Sequence, residues 1–334
     1  MRKFPYTKQA SFAKMKSMKK RLVLIGLTIY CCGLLAGCSN NLEQENALKQ
    51  QGIELMDGGD YLGAIDTFNE ALDLSIGKVT ALELDINYYK AAAQYDEGLY
   101  DDAISTYSAL IKYDGDNYKP LFLRGCLYAN AGDMTQAVKD FDAAIALDEK
   151  NYLLYIQIDQ NLETIGQSDQ GLVYLNKALA VTDKSADAYY YKGRIYYMLG
   201  QYDLALENLQ TAVDKNVVEA KLYLAKLYQA EEEWDLAQSL LEDYAFSDDV
   251  NSDALATLGD IEMASGNYES ALSYYQAGLS LESIDNLPQL YKGQVAALEN
   301  LHRFDEAKQV LTQYVESYPQ DQEAARELIF LKNR

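Results

Sequence analysis

Four cysteines, one histidine and an excess of carboxylates are the side chains of this 334-residue chain with the means to do chemistry. Cys31, Cys32 and Cys38 lie in or at the end of one apolar run near the N-terminus. Cys126 alone lies in the body, so no disulfide framework can be built there. A reactive thiol needs a basic neighbourhood, and only Arg124 is near it in sequence, so a buried, inert Cys126 is expected. His302 has no second His and no Cys cluster near it, which argues against a metal site and for a solvent-exposed turn. Asp114-Gly115-Asp116-Asn117 begins like a calcium loop, but Tyr118 occupies the next ligand position and the glycine is misplaced. It reads as a turn between helices. Neither a Gly-rich phosphate loop nor a Gly-x-Ser-x-Gly is present, and with 51 acidic residues carboxylate pairs arise anywhere. The expectation is no catalytic residue, no metal, no cofactor, no small-molecule substrate, and no enzyme.

Cys38 is different because of what precedes it. A basic stretch ends at Lys19-Lys20-Arg21, and an apolar run follows from Leu22 to Gly37. Basic then apolar is the pattern of a secretion signal. Its end, Leu35-Ala36-Gly37 directly before Cys38, resembles the lipobox of bacterial lipoproteins. That resemblance implies cleavage before Cys38 and diacylation of its thiol, with two or more chains giving stable anchoring. Residues 1–37 are then a lipoprotein signal peptide and 38–44 a polar tether. The competing reading is an uncleaved anchor, for which the run is slightly short of the ~20 apolar residues that span a bilayer. Either reading leaves the body on the extracytoplasmic face.

Composition constrains the rest. Twenty-nine tyrosines stand against one Trp and eight Phe, and only four prolines occur. Tyrosine buries a ring and keeps a polar tip, which suits repeat cores and wet interfaces. The net charge is −22, and eight basic residues with no acidic one lie within residues 1–37, so the body is more acidic still. Such a body repels nucleic acid and anionic lipid.

The elements that position these side chains are repeats. In residues 118–151, Leu121, Gly125 and Tyr128 lie on one helix-spaced face, a turn follows at Gly132-Asp133, and Ala137, Phe141, Ala144 and Ile145 line a second face. The turn recurs at Gly59-Asp60, Gly98-Leu99, Gly200-Gln201 and Gly266-Asn267, with divergent versions at Gly166, Glu232 and His302. The second-helix alanine recurs at Ala64, Ala103, Ala137, Ala205, Ala237, Ala271 and Ala307. This pattern resembles the tetratricopeptide repeat, with a period of ~34 residues. The resemblance implies an all-α, right-handed α-solenoid of about eight helix pairs over residues 45–321, with a capping helix over 322–334. In that cap Ala325, Leu328, Ile329 and Leu331 are expected to face the array. The fourth unit departs, carrying Asp159 where a small residue belongs and Gly171 where the alanine belongs, and a looser unit is expected there.

A tetratricopeptide array implies a non-enzymatic scaffold that holds a protein or peptide in a groove lined by the first helices. The outward positions on those helices include Tyr88, Tyr95, Phe122, Ile156, Tyr190, Arg194 and Tyr197. Aromatic residues with Arg are the usual anchors of protein interfaces. The competing account of any one ring is packing between neighbouring repeats. Lys49 matches one position of the carboxylate-holding mode found in some members, but Ile53 stands where Asn belongs, so that mode is not expected. The acidic surroundings point to a basic or neutral partner. The alternative role is a permanent structural subunit of a cell-envelope assembly.

Overall fold

A computed structural model describes residues 37–75, 79–245, 250–284 and 286–332. The signal peptide expected over residues 1–37 lies outside them, apart from Gly37. The described residues form seventeen helices and no strand. None of these helices is long and apolar enough to cross a membrane.

The chain divides into two compact units, which meet in sequence between Val181 and Thr182. Unit 1 holds four helix pairs: α1 (Gly37–Asp57) with α2 (Tyr61–Leu74), α3 (Ala81–Glu97) with α4 (Tyr100–Tyr113), α5 (Tyr118–Asn130) with α6 (Met134–Leu147), and α7 (Tyr152–Thr164) with α8 (Ser168–Ala180). Unit 2 holds four more: α9 (Ala186–Met198) with α10 (Tyr202–Asp214), α11 (Ala220–Ala230) with α12 (Trp234–Ala245), α13 (Ser252–Ala264) with α14 (Tyr268–Leu279), and α15 (Leu287–Asn300) with α16 (Phe304–Ser317). Helix α17 (Gln322–Lys332) follows. Eight pairs and a final helix are what the repeat pattern predicts. Within each unit, the second helix of a pair also packs on the first helix of the next, and most first helices touch their neighbours directly.

Small residues set the spacing inside each pair. A Cβ on Gly125 would stand 2.7 Å from the Phe141 ring, and one on Gly193 would stand 2.6 Å from Leu209. Those contacts are too short for any side chain, so only glycine lets these helices approach. Tyr275 is held this way from both sides. Its ring lies where Cβ atoms on Gly259 of α13 and Gly293 of α15 would fall, and its hydroxyl donates to Asp260 at 2.7 Å.

Helix ends are closed by short polar side chains. Asn117, Asn151, Ser185 and Asn251 accept from backbone N–H groups in the first turns of α5, α7, α9 and α13. Asp321 does the same for α17, accepting from Ala324 N–H at 3.1 Å. Within the pairs, the chain reverses through a left-handed residue. Six of these turns use glycine, among them Gly98 (φ 87°) and Gly132 (φ 84°), while Glu232 (φ 62°) and His302 (φ 60°) occupy the same place in α11–α12 and α15–α16. His302 is exposed, as expected of a turn.

Two expectations are corrected. The fourth unit is not loose: Leu154, Tyr155, Ile158, Leu162, Tyr174 and Leu175 are all buried. A Cβ on Gly171 would overlap the Asp159 carboxylate, so the small residue has moved from α7 to α8 to face the larger one. The residues expected as a tether, 38–44, lie within α1, which runs unbroken from Gly37. That stretch has no Gly or Pro after Gly37 to stop a helix. In α17 the buried residues are Ala324, Leu328 and Leu331, and Ile329 is 61% exposed. A spacing of four and then three residues keeps those three on one stripe and turns Ile329 away.

A candidate partner-binding face in the second unit

The seven expected groove residues separate into buried and accessible ones. Ile156 is fully buried, because α5, α6 and α8 pack around α7. Phe122 is 7% exposed and lies 6.2 Å, centroid to centroid, from the Phe141 ring. Tyr88 is also 7% exposed; its ring packs 6.5 Å from Tyr107 and its hydroxyl accepts from Asn117 Nδ2 at 3.3 Å. These three belong to the packing between helices, not to an open groove. The reason is common to them: α3, α5 and α7 each pack against three neighbouring helices, which uses positions that helix periodicity alone would turn outward. Tyr95 is half-buried, edge-on to the Tyr100 ring at 5.6 Å.

The remaining three, Tyr190, Arg194 and Tyr197, all lie on α9 and are partly accessible. The i, i+4 spacing stacks Tyr190 and Arg194 on one face of the helix. Helix α11 brings Tyr223 against both tyrosines, at 6.1 Å from the Tyr190 ring and 5.8 Å from the Tyr197 ring, edge-on in each case. Arg194 sits inside this group. Its guanidinium carbon is 5.6 Å from the Tyr190 ring centre, 5.8 Å from Tyr191 and 5.1 Å from Tyr223. It hydrogen-bonds the Tyr190 hydroxyl, and its Nε is buried with no hydrogen-bond partner. Burial first of all pushes the Tyr190 hydroxyl up from its ordinary range, against the opposing pull of the Arg194 charge. Tyr223 is raised by burial in the same way. Both hydroxyls therefore stay protonated and can donate.

A second cation lies beside the first. Lys226 Nζ is 5.5 Å from the Tyr223 ring centre and pairs with Asp253 of α13 at 2.6 Å. Further along α13, Asp260 accepts from Tyr275 and from Gln289 Nε2 at 2.9 Å. Burial nevertheless holds its carboxyl above the usual range, those two hydrogen bonds acting the other way. The partly accessible face of α9, α11 and α13 thus carries tyrosine rings, one guanidinium with no carboxylate partner among the described residues, one paired ammonium, and hydroxyl donors. That set suits recognition of a polar chain. Among the described residues no group of three or more His, Cys, Asp or Glu is arranged to hold a metal ion.

Tyr191, Tyr223 and Lys226 belong to this face and were not singled out from sequence. A signal for them exists. Tyr191–Arg194 and Tyr223–Lys226 are each an aromatic residue and a cation three apart, at corresponding places in successive first helices. Elsewhere, Cys126 is 1% exposed and burial pushes its thiol up, which makes it inert as expected. Arg124 is occupied by Asp140 of α6, through Nε at 2.7 Å and a second nitrogen at 2.8 Å, and it also donates to Ser108.

Paired helices with small residues at their crossings, glycine turns and recurrent caps define an all-α repeat protein of the solenoid class. The chain matches models of the tetratricopeptide repeat over residues 49–120, 88–152 and 222–288, and over 186–216. These matches cover more than half of its length, and the chain belongs to the tetratricopeptide repeat family, whose members serve as protein-interaction scaffolds.

Among characterised proteins it is similar to the human "Protein O-mannosyl-transferase TMTC1", 26% identical over 187 residues, which is 54% of this chain and 21% of that protein. It is also similar to the "DnaJ homolog subfamily C member 7 homolog" of Schizosaccharomyces pombe, 24% identical over 214 residues, which is 62% of this chain and 41% of that one. The chain therefore spans well under half the length of these relatives. Among solved structures, the Cut9 and Hcn1 hetero-tetramer of APC/C aligns with 88% of this chain and 58% of that one, at 14% identity and a TM-score of 0.50. A tetratricopeptide repeat protein from Parabacteroides merdae aligns with 77% of this chain and 99% of its own, at 16% identity and a TM-score of 0.49. At 14% identity the likeness to Cut9 and Hcn1 speaks to the fold alone.

Proposed function

We propose that this protein is a non-enzymatic scaffold that captures a protein or peptide segment on the first-helix face of its second unit, and that lipid on Cys38 holds it at the extracytoplasmic side of a bacterial membrane. The observation that carries the capture reading is the partly accessible cluster of Tyr190, Tyr191, Arg194, Tyr197 and Tyr223. Large rings with few torsions bind without losing much rotamer freedom, and Arg adds directional donors, which is why such groups dominate interface energies. The net charge of −22 favours approach by a neutral or basic partner over long range.

The anchoring reading is supported by the order of a basic stretch, an apolar run and Leu35-Ala36-Gly37-Cys38. The mass of the mature N-terminus tests it. A chain beginning at Cys38 with added acyl mass is the expected result, and an intact chain still carrying residues before Leu22 contradicts it.

A second reading, a permanent subunit of an envelope assembly, draws on another observation. Leu62, Tyr100, Tyr202 and Leu236, all near the starts of second helices, are each at least half exposed. Crosslinking in intact cells separates the two. A captured partner exchanges, whereas a permanent assembly co-purifies in fixed proportion and persists through extensive dilution.

A further inference from the structure

The unmatched charge of Arg194 names the chemistry of the segment more closely. In a chain with 51 acidic residues, 29 basic residues have carboxylates in abundance. Several other cations of unit 2 use them: Lys226 has Asp253, Lys292 has Asp321 at 3.0 Å, and Arg303 has Glu306 at 2.6 Å, whereas Lys215 lies over the Tyr189 ring. Arg124 of unit 1, on the corresponding helix of its own repeat, has Asp140. Among the described residues, Arg194 has only tyrosines. The charged and polar groups acting on it are Tyr190, Tyr191 and Tyr223, with no Asp or Glu among them. The nearest acids act on the tyrosines and not on Arg194: the charges of Asp187 and Glu219 are felt by Tyr191, and Asp253, felt by Tyr223 and Tyr197, is paired with Lys226. A largely buried guanidinium without an anion is unfavourable, and contact with ring faces offsets only part of that. A carboxylate supplied from outside completes it.

We infer, resting on the capture reading above, that this cluster is a receptor for a single acidic side chain, Asp or Glu, within an otherwise neutral or basic segment of a partner protein. The guanidinium fork matches the two oxygens of a carboxylate. The hydroxyls of Tyr190 and Tyr223, which accept from Arg194, stay protonated and can donate onward. The segment is internal, not a chain end, because the aromatic surface continues beyond Arg194 to Tyr197 and on to Tyr202, 5.9 Å from it. Residues flanking the acid thus have rings to lie against. A polyanion is disfavoured, because Asp253 and the charge of the whole chain repel any further negative group. Long-range attraction of a basic segment and local capture of one carboxylate act on different parts of the same ligand.

The test uses the full chain in detergent as bait for a random 12-residue peptide library displayed on phage, in parallel with Arg194→Gln and Arg194→Lys. Circular dichroism and melting temperature establish that each variant is folded. The expected result is peptides from wild type with Asp or Glu at one aligned position and no net acidity elsewhere. Arg194→Gln should bind those peptides about tenfold more weakly or worse, as loss of a charged hydrogen-bond pair does. Arg194→Lys should fall between. Peptides selected equally by wild type and Arg194→Gln, or with no acidic position, overturn the inference while leaving capture intact. Displacement by inorganic polyphosphate in preference to the Glu peptide also overturns it. Failure to enrich any peptide overturns both the inference and the capture reading.

Discussion

Gly171 of α8 and Asp159 of α7 face each other so closely that a Cβ on Gly171 would overlap the Asp159 carboxylate. In other pairs the small residue is on the first helix and the large one on the second, as with Gly125 and Phe141 or Gly193 and Leu209. The fourth pair reverses the roles and keeps the spacing. Gly171→Ala should therefore destabilise unit 1 by about 1–3 kcal/mol through overpacking. Asp159→Ala in the same chain should restore much of that loss, and the double-mutant cycle in urea denaturation measures the coupling. Additive effects would mean the two residues do not share the space.

Asp159 also makes stability depend on pH. Burial, with the nearby charge of Glu163, raises its carboxyl from 3.8 to about 6. The unfolded chain gives up this proton near pH 4 and the folded chain keeps it until about pH 6, so folding takes up a proton in that window. This residue's contribution to stability is greatest below pH 4 and falls as pH rises to about 6. Asp159→Asn should remove the fall and be more stable than wild type at pH 7. Melting temperatures from pH 4 to pH 7 on both proteins check it, and parallel curves count against the assignment.

The Arg124–Asp140 pair joins α5 to α6, and the Asp140 side chain is 3% exposed. Arg124→Ala leaves a buried carboxylate without its cation and should cost about 3–5 kcal/mol. Replacing both, with Arg124→Met and Asp140→Leu, should cost much less, because neither charge is then stranded. Chemical denaturation of the three variants distinguishes this from a pair that contributes little.

Glu232 and His302 hold left-handed backbone where six equivalent turns have glycine. Glu232→Gly and His302→Gly should each stabilise the chain by roughly 1 kcal/mol, since a side chain is disfavoured in that region. A lower melting temperature in both variants would show that these side chains make contacts of greater worth.

Cys126 should not react with iodoacetamide in the native protein and should react fully in denaturant, because it is 1% exposed and burial favours the thiol over the thiolate. Mass spectrometry of the body cysteine before and after denaturation reads this directly.

Helix pairs, their turns and their caps were legible because each rests on local chemistry. Gly98 permits a left-handed turn, Asn151 caps α7, and the period of Ala137, Phe141 and Ala144 gives α6 its buried face. The binding face was legible only in part. Tyr190, Arg194 and Tyr197 share α9, so helix spacing alone groups them. Tyr223 joins them through packing of α11 on α9, which no spacing within one helix reveals. The same limit explains Ile156 and Phe122. Periodicity gives a direction relative to one helix axis, and whether a neighbour covers that direction depends on three helices at once. Gly171 and Asp159 departed from the repeat one at a time, and only their contact shows that the two departures are one exchange.

Capture on the α9–α11 face is tested most directly by photo-crosslinking in intact cells from a probe residue at Tyr191, with and without Tyr190→Ala, Arg194→Ala and Tyr197→Ala combined. Helicity of the purified variant is measured alongside. The account predicts a discrete crosslinked partner with wild type and its loss in the triple variant, helicity being retained. The same partner crosslinked in equal yield from the folded triple variant would contradict it.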